Sequence, residues 1–330
     1  MKTLDDILQA ATYNDLFEDG TKKELRALRK LAHPDLNPHE RDKAQKAFIH
    51  INKLWDMRDH PDEPAAPHST TTPADDHLAT KKNEYQNLKP LRKANGVQTY
   101  KGIDAHGNTA YLLVSTHPRI SELLINGVKN LKEVKGQLTD KYREFFSDTT
   151  DAFRVAQGPH RLFGVAQTLM DPNYTLREVK EDYPEGINGR DVAWMYRRML
   201  VAVGNLHDHG LGHGAPTLDA FLINPATHGL QLTDWQFSQP LGEDIRIVVG
   251  DVKHHYTADK TITREKDLRI LSEAALRLTD AKAPRQLRTF LQGMTRYPTK
   301  TAQEALYEFD ETLREVYGAR KFHEFKMRRR

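Results

Sequence analysis

Three groups of residues in this chain have types and spacings that could do chemistry. His33, Pro34 and Asp35 are consecutive, placing an imidazole donor and a carboxylate acceptor on either side of a proline. Proline fixes its own φ, so such a loop is stiff and loses little entropy when a partner orders it. Asp234 follows the apolar run Leu230-Gln-Leu-Thr, so a carboxylate ends a strand where it could hold a cation or fix a loop. His207, His209 and His213 lie close together, and His254 and His255 follow later, which raises the possibility of imidazole ligands for zinc. There are no cysteines, which excludes disulfides, thiolate zinc sites and cysteine nucleophiles and suits a reducing compartment. No Gly-x-Ser-x-Gly elbow exists, so a hydrolase triad has no anchor.

These groups need elements to position them, and the chain falls into zones. Residues 1–58 carry helical patterning. One helix is expected from Thr3, with Asp6 three positions on as a capping box. A second starts at Thr21, where Glu24 completes a similar pair, and Leu25, Leu28 and Ala32 form one apolar face. Lys22, Lys23, Arg26, Arg29 and Lys30 cover its other faces, and it must end before His33-Pro34. A third follows Asn37-Pro38 with Ala44, Ala47, Phe48, Ile51, Leu54 and Trp55 at helical spacing. Phe48 and Trp55 are expected to supply much of the burial in this small core. Residues 59–84 are rich in Pro, Thr, Ala and Asp and are expected to be a flexible linker. A second His-Pro-Asp, at His60, falls there with no flanking helices and reads as chance. Globular patterning resumes at residue 85 and runs to about 325. The basic tail 326–330 (Lys326 through Arg330) reads as a solvated end.

A basic helix, then His33-Pro34-Asp35, then a helix carrying Phe48, Ile51, Asn52 and Trp55 closely resembles a J-domain, over roughly residues 3–58. The resemblance implies a small all-α antiparallel hairpin that docks on a DnaK-type chaperone ATPase and stimulates its ATP hydrolysis. The contacts would come from His33, Pro34 and Asp35, with Lys22, Lys23, Arg26, Arg29 and Lys30 steering an acidic partner surface. Affinity from so small a surface should be weak and salt-sensitive.

A second resemblance, to protein kinases, lies between Gly189 and Ser238. A long amphipathic helix over 191–206 ends at Leu206-His207, and His213 then begins the phrase that stands for the catalytic loop. Phe221-Leu222-Ile223 matches the following strand, and Asp234-Trp235-Gln236 stands where kinases have the metal-binding Asp-Phe-Gly. Phosphoryl transfer needs an Asp to accept the hydroxyl proton and an Asn for the second magnesium. Those positions are Ala215 and Ala220. The strand hairpin from Thr99 to Val114 lacks the glycine-rich pattern. Its lysine position falls on Leu112 or Leu113, and Glu122 on the next helix has no lysine to meet. Asp267 falls where kinases brace the catalytic loop, and a last helix is expected over 302–317 with a capping box at Thr301 and Glu304. The resemblance implies an α+β two-lobed, kinase-like domain over 85–325, read as a pseudokinase without an enzyme's apparatus. His213 and Asp234 remain as a vestigial site. It also accounts for His207 and His213 as structural residues, so no metal is expected.

The expectation is therefore a multidomain co-chaperone whose second domain binds a client or partner, with no cofactor. The alternative is an unorthodox kinase or nucleotide-binding enzyme that holds magnesium and ATP at Asp234. A scaffold binding nucleic acid through basic segments is a third reading, but a net charge of +3 over 330 residues argues poorly for nucleic acid. At 38% hydrophobic and 29% charged, with no long apolar run and no secretory h-region, the chain is expected to be cytoplasmic and not membrane-bound.

Overall fold

The computed structural model describes residues 2–10, 12–56, 76–157 and 160–328. The chain divides into two compact units, 1–70 and 71–330.

The first unit is built from four helices, α1 (Leu4–Gln9), α2 (Tyr13–Leu16), α3 (Lys22–Leu31) and α4 (Arg41–Asp56). Thr3 and Asp6 form the expected capping box, and a second box at Thr12 and Asp15 starts the short α2, which the apolar spacing did not announce. Thr21 caps α3 as expected. Glu24 does not reach back to Thr21, however; its carboxylate accepts the N–H groups of Glu18, Asp19 and Gly20 and so ties down the turn that leads into the helix. Helix α1 lies along α4, with Lys43 on Asp5 at 2.8 Å and His50 Nε2 donating to the Ala10 carbonyl at 2.6 Å. Helices α3 and α4 run antiparallel: Arg29 Nε donates to Asn52 Oδ1 at 2.7 Å, and the His33 and Phe48 rings meet edge-on at 6.1 Å. The core consists of Ile7, Leu16, Phe17, Leu25, Leu28, Ile51 and Leu54. Phe48 and Trp55, expected to supply much of the burial, are only partly buried, and the buried residues come from all four helices.

In the second unit a six-stranded antiparallel sheet has the order β1-β2-β3-β4-β6-β5. Its strands are β1 (His77–Ala79), β2 (Glu84–Ala94), β3 (Val97–Asp104), β4 (Thr109–Ser115), β5 (Asp148–Gln157) and β6 (His160–Thr168). Between β4 and β5 run α5 (Pro118–Gln137) and the short α6 (Asp140–Arg143), and α5 covers one face of the sheet. Beyond β6 the chain becomes mainly helical. In order come β7 (Tyr174–Thr175), α7 (Leu176–Asp182), α8 (Gly189–Asp208), β8 (Leu211–Gly212), β9 (Phe221–Asn224), β10 (Gly229–Leu232) and β11 (Gln239–Pro240). Helices α9 (Arg264–Leu278), α10 (Arg285–Arg296) and α11 (Ala302–Tyr317) complete it. The largest core is here, where α8 packs on α9 and α11 through Tyr196, Met199, Val203, Leu271 and Phe309. Thr301 and Glu304 form the capping box expected for α11.

Two boundaries differ from expectation. The linker expected to reach residue 84 stops short of β1. Main-chain pairing of His77, Leu78 and Ala79 with β2 orders these residues, and Leu78 is buried beneath the sheet. The part of the linker over 59–75, with His60, lies outside the described residues. The basic tail is not a loose end either. Phe325 is buried in the helical core, Tyr183 Oη donates to the Lys326 carbonyl at 2.6 Å, and Asp182 accepts the Arg328 N–H at 2.5 Å. Arg328 also pairs with Glu185 at 2.6 Å and lies over the Tyr183 ring. Arg329 and Arg330 lie outside the described residues. Among the described residues no helix is long and apolar enough to cross a membrane.

Candidate functional site

In the first unit the loop between α3 and α4 is a pair of 3-10 turns, Pro34–Leu36 and Pro38–Glu40. Asn37 fixes it by donating to the carbonyls of Leu31 at 2.8 Å and His33 at 3.0 Å, which closes the C-terminal end of α3. His33 Nδ1 accepts the Asp35 N–H at 3.3 Å. The side chains of His33 and Asp35 remain 47% and 75% exposed, and Pro34 is half-buried. Lys22, Lys23, Arg26 and Lys30 are exposed on α3, whereas Arg29 is partly buried through its bond to Asn52. Arg29, Lys30, His33, Asp35, Leu36 and Phe48 line an open groove of about 460 Å³, with Leu36 60% exposed. Of the residues singled out from sequence, Arg29, Lys30, His33 and Asp35 thus share one groove, while Lys22, Lys23, Arg26 and Pro34 do not line it. The apolar contribution of Leu36 and Phe48 was not anticipated, although their spacing around the loop could have shown it.

In the second unit the site lies where the sheet meets the helices. Asp267, at the start of α9, is fully buried and accepts from three donors: the His213 N–H at 2.7 Å, the Gly214 N–H at 2.8 Å and His207 Nε2 at 3.0 Å. His213 Nε2 in turn donates to the Thr233 carbonyl at 2.7 Å, while Nδ1 accepts the Ala215 N–H at 3.3 Å. Burial holds this imidazole below its ordinary range, consistent with a neutral ring that donates on one side and accepts on the other. His209 turns away to the Asn205 carbonyl at 2.7 Å. The three clustered histidines thus serve three different local contacts rather than one centre.

Asp234 sits in the left-handed region (φ 59°, ψ 35°) and opens the 3-10 turn Trp235–Phe237. Helix α5 holds that turn: Asn130 Nδ2 donates to the carbonyl and hydroxyl of Ser238, and Gly127 has no room for a side chain, since a Cβ there would lie 2.4 Å from the Trp235 carbonyl oxygen. The Asp234 carboxylate points back at the sheet, where Asn95 Nδ2 donates to it at 2.6 Å and Gln236 at 3.3 Å. Asn95 and Gly96 form the two-residue turn between β2 and β3, with φ of 50° and 78° and Ala94 paired to Val97. Asn-Gly is the sequence signal for such a hairpin. Burial, with the nearby charge of Asp219, pushes the Asp234 carboxyl up to about 7, and the bonds from Asn95 and Gln236 only partly oppose this. A carboxylate that holds magnesium needs the opposite tuning.

The rest of the cleft is filled. Leu113, not Leu112, faces it, because Leu112 packs on the far side of the sheet. Ile120 and Leu123 of α5 pack in the same cluster as Leu113, and Glu122 is exposed. Two residues earlier on the same strand face, Tyr111 is buried and donates its hydroxyl to Asp171 at 2.8 Å. In the segment that follows β6, the Met170 N–H is taken by Gln231 at 3.0 Å. Arg92 reaches in from β2 to Asn173 Oδ1 at 2.7 Å. The cavity left between Arg92, Leu113, Leu222, Asp219 and Asp234 is about 30 Å³. That is the scale of one water molecule, against the roughly 300–1,000 Å³ of small-molecule sites.

Ala215 and Ala220 present buried methyl groups. Ala215 packs under Phe237, Ile245, Val252, Tyr256 and Ile262, and Tyr256 Oη donates to the Gly214 carbonyl at 2.8 Å. Asp219, beside Ala220, is engaged by both oxygens with Arg177 Nε at 2.8 and 2.9 Å, and Arg177 also reaches Asp251 at 2.5 Å. This ion-pair chain, like Tyr111, Asn95 and Arg92, was missed from sequence, since it joins residues far apart in the chain.

No protein-family profile matches this sequence, and no curated protein does. Solved structures do resemble it in three dimensions. One is vaccinia related kinase 3, at TM-score 0.56 and 12% identity, covering 77% of this chain and 94% of that one. Another is a Toxoplasma gondii specific rhoptry antigen kinase domain, at TM-score 0.56 and 13% identity, covering 74% and 87%. The sheet order, the Asp267 brace under the His213 loop and this likeness together show that the larger unit has the two-lobed α+β fold of a protein kinase domain.

Proposed function

We propose that this chain is a J-domain co-chaperone. Its first unit stimulates ATP hydrolysis by a DnaK-type chaperone, and its kinase-like unit is catalytically silent and serves to bind a client or partner protein in the cytoplasm. One observation carries the reading: His33, Pro34 and Asp35 project from the end of an antiparallel helix pair, beside the exposed cations of α3. The loop is stiffened by Pro34 and Asn37, so little entropy is lost on docking. Lys22, Lys23, Arg26 and Lys30 supply a field that speeds encounter with an acidic surface and fades as salt rises. Joining two binding modules in one chain raises the effective concentration of a bound client near the chaperone.

The test is steady-state ATP hydrolysis by a DnaK-type chaperone with and without the full chain. Stimulation is expected, and His33→Gln should abolish it without altering the helical unit's melting. Stimulation unchanged by His33→Gln would overturn the assignment of the loop.

The silence of the kinase-like unit is supported by Ala215, Ala220 and Leu113 at the positions phosphoryl transfer relies on and by the water-sized cavity beside Asp234. Magnesium and ATP together should therefore leave its melting temperature unchanged. A clear rise that Asp234→Ala removes would instead favour a nucleotide-binding enzyme.

A further inference from the structure

The 3-10 turn Gly250–Tyr256 lies in the segment between the Asp234 turn and α9. Successive side chains on a 3-10 turn point about 120° apart, yet the rings of His254 and His255 converge, with centroids 3.9 Å apart. Both direct Nε2 at one oxygen of Glu273, on α9, at 3.3 and 3.0 Å. One ring nitrogen of each histidine and a Glu273 carboxylate oxygen all lie within 4.8 Å of one another.

Glu273 takes a hydrogen bond from His255 Nε2 at 3.0 Å, and two imidazoles with one carboxylate bring three lone-pair donors to one point. A cation at the centre takes a lone pair from all three groups. Zinc binds imidazole nitrogen at about 2.0–2.1 Å and carboxylate oxygen at about 2.0–2.2 Å, so tetrahedral geometry separates its ligand atoms by about 3.3 Å. The separations from Glu273 already have that size. The burial also suits a site that is built yet reachable. The His255 side chain is 4% exposed and fixed, Glu273 is 32% exposed, and His254 is 62% exposed at the mouth.

We propose that His254, His255 and Glu273 form a site for Zn²⁺ or a similar divalent transition metal, which pins the segment after the Asp234 turn to α9. Three protein ligands leave a fourth position for water or for a donor from another molecule. Imidazole with a single carboxylate selects such ions over magnesium and calcium, which prefer all-oxygen shells. The expectation from sequence that no metal is held weighed His254 and His255 together with the cluster His207, His209 and His213, and it set the reading aside on the structural roles of His207 and His213. His207, His209 and His213 make separate local contacts, whereas Glu273, which no sequence pattern joined to His254 and His255, completes a three-ligand group with them. The site does not depend on the chaperone reading.

Calorimetric titration of the full chain with zinc chloride tests it, alongside His254→Asn and Glu273→Gln. His254 is largely exposed, so its replacement should leave the metal-free circular dichroism and melting unchanged. The wild type should bind one zinc, each variant should bind at least ten-fold more weakly, and amide exchange over residues 250–256 should slow only in the zinc-loaded wild type. Absence of zinc binding by the wild type, or wild-type affinity in either variant, overturns the assignment.

Discussion

Replacing Asp234 by Asn should stabilise the kinase-like unit, and by an amount that depends on pH. Burial raises this carboxyl from 3.8 to about 7 in the folded chain. Below pH 4 both folded and unfolded chains hold the proton, and Asp234 makes no pH-dependent contribution. Between about pH 4 and 7 the folded chain keeps a proton that the unfolded chain releases, so stability falls as pH rises, by about 1.4 kcal/mol per pH unit. Above pH 7 both are ionised and the cost is fully present, with a ceiling of about 4 kcal/mol. Solvent contact along the cleft reduces it, because Asp234 is not wholly buried by surface area. Asparagine keeps an acceptor for Asn95 and tolerates the left-handed backbone at least as well as aspartate. Urea unfolding followed by circular dichroism and tryptophan fluorescence at pH 5 and pH 8 measures the effect. The variant should gain stability over the wild type, and gain more at pH 8 than at pH 5. An equal gain at both values, or a loss at pH 8, would refute the argument that Asp234 is a buried acceptor rather than a metal-tuned carboxylate.

Other perturbations probe the supports of the site. Gly127→Ala pushes a methyl group into the Trp235 carbonyl and should destabilise by about 1–3 kcal/mol, despite alanine's better helix propensity. A gain in stability in urea unfolding would mean that α5 does not press on the Asp234 turn. Phe325→Ala should cost about 3 kcal/mol, the usual loss for a buried phenylalanine, if the tail is docked in the helical core. A change below about 1 kcal/mol would place the tail in solvent.

Much of the fold was legible because its signals are local. Thr3 with Asp6 and Thr301 with Glu304 start helices wherever they stand, and the apolar spacing of α8 showed its buried face. Asp267 was found through the resemblance to kinases, in which an Asp at about that place braces the catalytic loop, and it does accept the His213 N–H. Contacts set by tertiary structure were not visible. Strand β1 carries one buried leucine in a stretch rich in polar residues, and only pairing with β2 makes it a strand. The tail reads as a run of cations, yet Phe325 and the Asp182 carboxylate hold it. Spacing left Leu112 and Leu113 equivalent, and the sheet's pleat chose between them. Asn95 and Asp234 are 139 positions apart, so no local pattern could join them.

A single ATPase assay on a DnaK-type chaperone compares the two halves of the account most directly, with His33→Gln and Asp234→Ala of the full chain run side by side. The account predicts that the first variant loses stimulation and the second keeps all of it. Stimulation that survives the loss of His33, or that fails with the loss of Asp234, would contradict it.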